Sequence, residues 1–341
     1  MTLAPGEGAG KRPTLIDVAR LAQVAPSTAS RALKESPRIS EATKLRVRAA
    51  ARGLGYQPNR LAQSLRARTA PFVGIVVPDI GITFYSRFVK GAQEVLERAG
   101  HQALVMSTER EAGREETALR TLEGHRVSGI LLATSRPGSD EPHTPTVYFD
   151  SLAGDRGMAR LALDNARGMD LLVGHLVEHG HTRIGYIGGP PIFTSGTERL
   201  AGFREAVEGR GADTRAAYVE IADTTWSAAS GAAAMTRLLA LAEPPTAIVA
   251  SGDTLALGAM SACREAGRRV PEDIALVTFD DPVFGSLLDP PVTALERGDL
   301  ELGRVAAELL LAGLRDGGVN GLADVRLPVE LVVRRSCGCP V

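Results

Sequence analysis

The stretch Thr14-Leu-Ile-Asp-Val-Ala-Arg-Leu-Ala-Gln-Val-Ala-Pro-Ser-Thr-Ala-Ser-Arg31 most constrains what the chain can fold into. It reads as two short helices joined by a tight turn. Thr14 can cap the first helix, with Asp17 three residues on, where a capping box places its acid. Val18, Leu21 and Ala22 then share one face at helical spacing, Val24 sits in the turn, and Ala29 and Leu33 form the facing stripe. Pro26 suits a first helical position, because its missing N–H has no intrahelical partner there. Ser27, Thr28, Ser30 and Arg31 are left on the outer face. Small hydroxyls and an arginine on an exposed short helix suit a DNA major groove, where Arg reads guanine O6 and N7 and hydroxyls reach phosphates or base edges. An ordinary amphipathic helix pair with a solvated polar face fits the same eighteen residues.

The next residues narrow that choice. Ser40-Glu41 opens a third helix, with Val47, Ala50, Ala51 and Leu54 inward and Gly53 and Gly55 near its end. Arg46, Arg48 and Arg52 lie on its other sides. A proline break, Gly55-Tyr-Gln-Pro-Asn59, leads into the apolar-basic segment Asn59-Arg-Leu-Ala-Gln-Ser-Leu65. Charge is distributed to match. Residues 1–68 hold 13 Lys/Arg and 4 Asp/Glu, a balance of +9, and the other 26 basic and 36 acidic residues give −10, for a net −1. A basic head on an acidic body implies a polyanion partner for the head alone.

From Phe72 onward short β-rich runs alternate with helical stretches. Phe72–Val77, Ala103–Met106, Ser128–Ala133 and Thr146–Asp150 read as strands, with a helix over Phe84–Ala99. After Asp164-Asn165 the alternation restarts, with strands at 183–188, 218–221, 247–250 and 274–279. Helices are expected over Arg167–His179, from Glu198, after Trp226 and over Leu255–Ala266. Such alternation implies parallel sheets covered by helices, and two successive sets imply two similar subdomains with a cleft between them. At 341 residues the chain is long enough for two or three units.

Cys263, Cys337 and Cys339 are too few, and odd in number, for a disulfide framework, and fit a reducing cytoplasm. Cys337-Gly-Cys339 lacks a second ligand pair, so no zinc site is expected. His175 and His179 stand four apart on a helix without a third ligand, and read as a surface pair. No metal or other cofactor is called for. The first twelve residues carry no apolar core for a signal peptide and read as a disordered tail. No apolar run is long enough to span a bilayer. No GxSxG elbow or GxGxxG loop is present, and no catalytic acid–base pair follows from spacing.

In their order, TLIDVARLA, STASRAL, the GYQPN corner and the NRLAQSL segment resemble the DNA-binding headpiece of the lactose-repressor (LacI/GalR) family. The likeness continues through the body, with PDI at Pro78–Ile80, RVSGILL at Arg126–Leu132, RLAGF at Arg199–Phe203, DTLALGAM at Asp253–Met260, TFDD at Thr278–Asp281 and the ending LPVELVVRRSC. The resemblance implies a helix-turn-helix domain over 13–58, a hinge helix and linker over 59–70, and a periplasmic-binding-protein-like core of two parallel-sheet α/β subdomains over 71–341. The N-subdomain is expected at about 71–163 and 295–325, the C-subdomain at about 164–294 and 326–341, with chain crossings near 164, 294 and 325. One departure is plain. Between Ala133 and Thr146, where the family carries a helix, this chain has a Pro- and Gly-rich run that cannot form one.

The resemblance also implies two sets of site residues. Thr14, Pro26, Ser27, Thr28, Ser30, Arg31 and the hinge residues Asn59, Arg60, Ala62 and Leu65 would meet double-stranded operator DNA. Leu65 would enter the minor groove as a wedge, with Ala62 beside it on the face where two hinges pair. Ala25 stands where the family has a capping hydroxyl, and Pro26 offers no donor to a base. Phe84, Tyr85, Asp150, Ser195, Arg199, Trp226 and Asp280 would line an effector site at the carboxyl ends of the strands. Carboxylates accept paired sugar hydroxyls, Arg presents a planar donor fork, and an aromatic ring stacks on an apolar sugar face. Other readings stay open residue by residue: Trp226 as a core plug, Asp253 as a helix cap rather than a ligand contact, Arg199 and Asp280 as a structural ion pair. The expected protein is a cytoplasmic, effector-controlled repressor without enzymatic activity, a homodimer or higher assembly with no membrane partner. A solute-binding protein and a sugar-modifying enzyme are the rivals.

Overall fold

The computed structural model describes residues 13–33, 35–56, 72–109, 111–133, 142–150, 159–190, 194–210, 218–221, 226–316 and 324–339. The chain divides into two compact units, Met1–Ala70 and Pro71–Val341.

The first unit holds α1 (Leu15–Leu21), α2 (Pro26–Leu33) and α3 (Glu41–Gly53). The Thr14 N–H donates to Asp17 Oδ2 at 2.9 Å and the Asp17 N–H donates back to Thr14 Oγ1, closing the capping box. Helix α2 begins at Pro26, and the Ala29 N–H donates to the Ala25 carbonyl at 2.9 Å. Ser40 caps α3, and Gly55 takes the left-handed conformation (φ +61°) that ends it. Val18, Ala19, Ala22, Ala29, Ala32, Val47, Ala50 and Ala51 form the core. The expected inward Leu21 is instead 57% exposed. The inward direction of α1 lies between Val18, Ala19 and Ala22, and at about 100° per residue Leu21 falls roughly 110° from it.

The second unit carries two six-stranded sheets. The first contains β1 (Phe72–Val77), β2 (Gln102–Ser107), β3 (Gly129–Leu132), β4 (Thr146–Phe149), β5 (Ala159–Leu163) and β11 (Val325–Leu327), in the order β11-β5-β4-β3-β1-β2. Every pairing in it is parallel. Its helices are α4 (Thr83–Arg98), α5 (Ala112–Gly124) and α10 (Asp299–Asp316). The second contains β6 (Ile184–Gly188), β7 (Tyr218–Ile221), β8 (Ala247–Ala250), β9 (Ala275–Thr278), β10 (Thr293–Glu296) and β12 (Glu330–Val332), in the order β12-β10-β9-β8-β6-β7. Only β12 runs antiparallel, against β10. Its helices are α6 (Asn165–Glu178), α7 (Thr194–Gly209), α8 (Ala228–Leu239) and α9 (Asp253–Glu265). Strands such as β3, β8 and β9 are buried along their whole length, as strands covered on both faces must be.

The chain passes between the sheets after β5, after β10 and after β11. The last two passages fall two to three residues later than expected, because β10 pairs through Glu296 and β11 through Leu327 before the chain leaves its sheet. Helices α5 and α10 and strands β5, β10, β11 and β12 were not anticipated from the pattern, and α7 starts at Thr194 rather than Glu198. The shortened connection after Ala133 lies mainly at 134–141, outside the described residues, yet β3 and β4 pair in parallel on either side of it. Beyond β12 the tail folds back onto the sheet. The Leu276 N–H donates to the Ser336 carbonyl at 2.8 Å and the Thr293 N–H to Ser336 Oγ at 2.9 Å. That return carries Cys337 and Cys339 against α6. His175 is therefore buried at 9% exposure, not half of a surface pair.

Candidate functional site

A cavity of about 210 Å³ opens at the carboxyl ends of both sheets. From the first sheet come Pro78 beyond β1, Ile82 before α4, Phe84 and Tyr85 in the first turn of α4, and Asp150 just past β4. From the second come Ser195 and Arg199 on α7, Trp226 before α8, Asp253 and Thr254 at the start of α9, and Asp280 past β9. All seven residues expected at an effector site line this one cavity.

Arg199 is the centre of the arrangement. It is 3% exposed, donating from Nε to Asn165 Oδ1 at 3.0 Å and from Nη1 to Asp280 Oδ1 at 3.1 Å and to the Ser251 carbonyl. Its guanidinium lies 3.7 Å from the centre of the Phe279 ring and 5.6 Å from that of Trp226. The ion-pair reading and the cavity reading of Arg199 and Asp280 thus hold together. The Trp226 ring is seated on two glycines: a Cβ at Gly189 would stand 2.2 Å from Trp226 Cε2, and one at Gly252 2.9 Å from Cε3. Trp226 is a cavity wall, held there by backbone that has no side chain to push it out.

Two carboxylates are poised away from their ordinary state. Asp150 sits in the left-handed region (φ +50°) at the end of β4, a strained place for a residue with a Cβ. Tyr85 Oη donates to its Oδ2 at 2.9 Å. Burial pushes its pKa up to about 6, against the opposing pull of Arg199 and Tyr85. Asp253 is raised to about 6 by burial and by the nearby Asp280 charge, although the Thr254 N–H donates to its Oδ1 at 2.7 Å. Gly252 is the helix N-cap, so Asp253 combines a first-turn role with a place on the cavity wall.

Sequence reasoning missed Arg297. It stands in the passage from β10 to α10, donates from Nη1 to Asp280 Oδ1 at 2.7 Å, and lies 4.8 Å over the Phe84 ring. Asp280 Oδ1 therefore takes two guanidinium groups. The run Arg297-Gly-Asp299 at a chain crossing was the available signal. A second chain of charges reaches inward from the rim: Arg326 pairs with Glu198 at 2.8 Å, Glu198 accepts from Asn165 Nδ2 at 2.7 Å, and Asn165 holds Arg199. It links the first and third passages to the cleft.

In the first unit Pro26, Ser27 and Arg31 are exposed on α2, and Thr28 and Ser30 are half-buried. Thr14 is exposed, but its hydroxyl is engaged by Asp17 at 2.6 Å, so it serves first as a cap. Asn59, Arg60, Ala62 and Leu65 lie outside the described residues.

The profile for "Bacterial regulatory proteins, lacI family" matches residues 14–59, and that for a "Periplasmic binding protein-like domain" matches 173–337. The HTH-type transcriptional repressor CytR of Escherichia coli is 32% identical over 329 residues, which cover 95% of this chain and 96% of that protein. This chain belongs to the lacI family. The HTH-type transcriptional regulator CelR of Thermobifida fusca is 34% identical, over 96% of this chain and 98% of its own. The structure of the lac repressor dimer bound to operator and the anti-inducer ONPF superposes with a TM-score of 0.86 at 30% identity, covering 96% of this chain and 99% of that one. Membership in the lacI family makes the chain a DNA-binding transcriptional regulator with a small-molecule cleft. The solute-binding and sugar-enzyme readings fall with it. Among the described residues no helix is long and apolar enough to cross a membrane.

A pH dependence follows from the two raised carboxylates. Their folded-state pKa values of about 6 lie above the ordinary value of 3.8, so the folded chain holds these protons more tightly than the unfolded chain. The stabilisation they confer is complete below about pH 4 and is lost as the pH rises through about 6. The loss is roughly 1–3 kcal/mol per carboxylate. A ligand whose hydroxyls donate to the ionised carboxylates opposes this loss. The thermal shift produced by an effector is therefore expected to grow between pH 5 and pH 7.5, and Asp150→Asn should flatten that growth. A shift independent of pH would remove Asp150 and Asp253 from ligand contact.

Proposed function

We propose that the chain is a cytoplasmic, homodimeric repressor that binds a near-palindromic operator through α2 and the hinge at 59–65. Its cleft binds an uncharged polyhydroxy ligand, a sugar or a nucleoside. The composition of the cleft wall carries this reading. Asp150, Asp253 and Asp280 outnumber Arg199 and Arg297, and both arginines are already directed at Asp280. An anion would meet net negative charge, whereas hydroxyl pairs find acceptors in Asp150 and Asp253 and stacking faces in Phe84 and Trp226. The ribose operon repressor of Escherichia coli and the CelR–cellobiose complex are relatives whose names fit such a ligand.

Pairing of two copies is supported by Val283, Phe284 and Leu287, exposed at 60%, 67% and 79% just beyond β9. Three large apolar side chains left open together mark a contact surface. Leu65 of the hinge is the proposed wedge at a flexible pyrimidine–purine step. On α2, Pro26 has no donor, so base discrimination there is apolar or absent.

A gel shift against fragments from the DNA flanking the chain's own gene tests the reading. Full sites are expected to bind far more tightly than half-sites. With roughly 6–10 phosphates contacted, affinity should fall about 10³–10⁵-fold between 50 and 200 mM salt. Equal binding to half-sites and full sites, or affinity insensitive to salt, would sink the operator reading. A thermal-shift screen of sugars and nucleosides against sugar phosphates tests the cleft, and a response to the phosphates alone would refute the uncharged ligand.

A further inference from the structure

Beside the residues of the cleft, the fold gathers four side chains that do not line the cavity. His175 comes from the last turn of α6 and the exposed His179 is its C-cap, and Cys337 and Cys339 come from the tail that returns beyond β12. Ligand atoms of His175, Cys337 and Cys339 lie within 4.8 Å of one another. Cys339 Sγ is 3.3 Å from His175 Nε2 and 3.0 Å from His179 Nε2. His175, Cys337 and Cys339 are all buried, at 9%, 2% and 8% exposure. His175, Cys337 and Cys339 thus converge from more than 150 residues apart, and His179 joins them through its contact with Cys339.

We propose that these four residues form a structural zinc site that pins the C-terminal tail to α6. The donor set is two thiolates and two imidazoles, the combination that favours tetrahedral zinc over the harder divalent cations. The surrounding groups are arranged for it. The His179 ring turns Nδ1 to the His175 carbonyl at 2.7 Å, which fixes a proton on Nδ1 and leaves Nε2, the atom facing Cys339, with its lone pair. Thr293 Oγ1 accepts the Arg334 N–H at 2.9 Å, so its own proton is directed to Cys337 Sγ at 3.2 Å. As a thiol, Cys337 can donate to the Arg334 carbonyl, also at 3.2 Å, and zinc binding replaces that proton.

The pattern was invisible along the chain because each half of it is incomplete alone. The fold completes it: Ser336 bonds to β9 and β10, and this places the next three residues against α6. The same helix begins at Asn165, which holds Arg199 in the cleft. A cation at its far end therefore fixes both the tail and the helix that carries a cleft contact.

The full-length protein, purified under reducing conditions and freed of any histidine tag, is expected to retain one zinc per chain by elemental analysis. X-ray absorption should show scattering at about 2.3 Å from sulfur and about 2.0–2.1 Å from nitrogen. After chelator treatment, Co(II) should restore one equivalent, with near-ultraviolet thiolate-to-cobalt bands and intense visible bands of tetrahedral cobalt. Chelation should lower the Tm by several degrees, and zinc should restore it. Cys337→Ser and Cys339→Ser should lose the thiolate bands, and His179→Gln should weaken cobalt binding at least tenfold. Wild-type protein that retains no zinc and gives no thiolate–cobalt bands overturns the proposal, and so does a Cys337–Cys339 disulfide found by mass spectrometry in the reduced preparation. Unchanged bands in both serine variants overturn the ligand assignment, and an unchanged Tm on chelation overturns the structural role. If the serine variants do not fold, the wild-type cobalt spectrum decides by itself.

Discussion

Arg199→Ala is expected to abolish the response to effector and to lower the melting temperature by on the order of 10 °C. The first effect follows from the cavity: Arg199 lines it and orients Asp280, so the variant loses a donor and frees an acceptor from its position. The second follows from burial. At 3% exposure the guanidinium satisfies Asn165 Oδ1, the Ser251 carbonyl and Asp280 Oδ1 at once. Removing one member of a buried charged network costs about 3–5 kcal/mol, because the remaining groups stay buried without their partner. Asp280 keeps Arg297 at 2.7 Å, which puts the cost at the lower end. At roughly 2–4 °C per kcal/mol for a unit of this size, the melting temperature falls by the stated amount. Arg199→Lys should fail nearly as badly, since one ammonium cannot reproduce the planar fork. Asp280→Asn keeps the shape and should lose the response with a smaller thermal change. Operator binding, measured by gel shift well below the new melting temperature, should persist in all three. A variant with wild-type melting and a wild-type effector response would show that Arg199 neither supports the cleft nor contacts the ligand.

Gly303→Val is expected to be more damaging still, with a loss of about 4 kcal/mol or more, in the range that only a named packing failure produces. Helices α4 and α10 approach one another across two glycines. A Cβ on Gly303 would lie 2.0 Å from the Phe88 carbonyl oxygen, and one on Gly91 would lie 2.0 Å from the Leu300 carbonyl oxygen. Both obstacles are backbone, so no rotamer change relieves the clash and the helices must separate. The consequence reaches the cleft. Helix α4 carries Phe84 and Tyr85, and α10 starts two residues after Arg297, whose guanidinium rests 4.8 Å over Phe84. Separating the helices pulls these two walls apart. Gly113→Ala, at an open position on α5 with nothing within 4 Å, should be neutral or stabilise by up to about 1 kcal/mol. Urea unfolding checks both variants, and a midpoint for Gly303→Val near that of the parent chain would show that the helices can part at little cost.

The headpiece is the part most legible in the residues themselves, and the reason is range. A capping box joins Thr14 to Asp17, and a proline at the first helical position or a glycine beyond the last acts on its own turn. Such interactions span three or four residues, so the order of side chains states them outright. Leu21 escaped because its place depends on how closely α1 meets two other helices, which a single stripe does not specify. The cleft was partly legible for a related reason. In parallel sheets ligand contacts fall at strand ends, and a strand end can be read locally, so Asp150, Ser195 and Asp280 could be expected there. Which of these groups meet was decided by the tertiary structure. Arg297 reaches Asp280 only because the chain leaves β10 beside the end of β9, and the two guanidinium groups on one carboxylate oxygen follow from that passage. His175 and Cys339, 164 residues apart, belong to one cluster because the tail adds itself to β9 and β10 and is turned back against α6. Local chemistry, written at the spacing of a turn or a strand, was determined by the sequence by itself. The pairing of groups across passages between the sheets depends on strand order and helix packing, and those are properties of the folded chain as a whole.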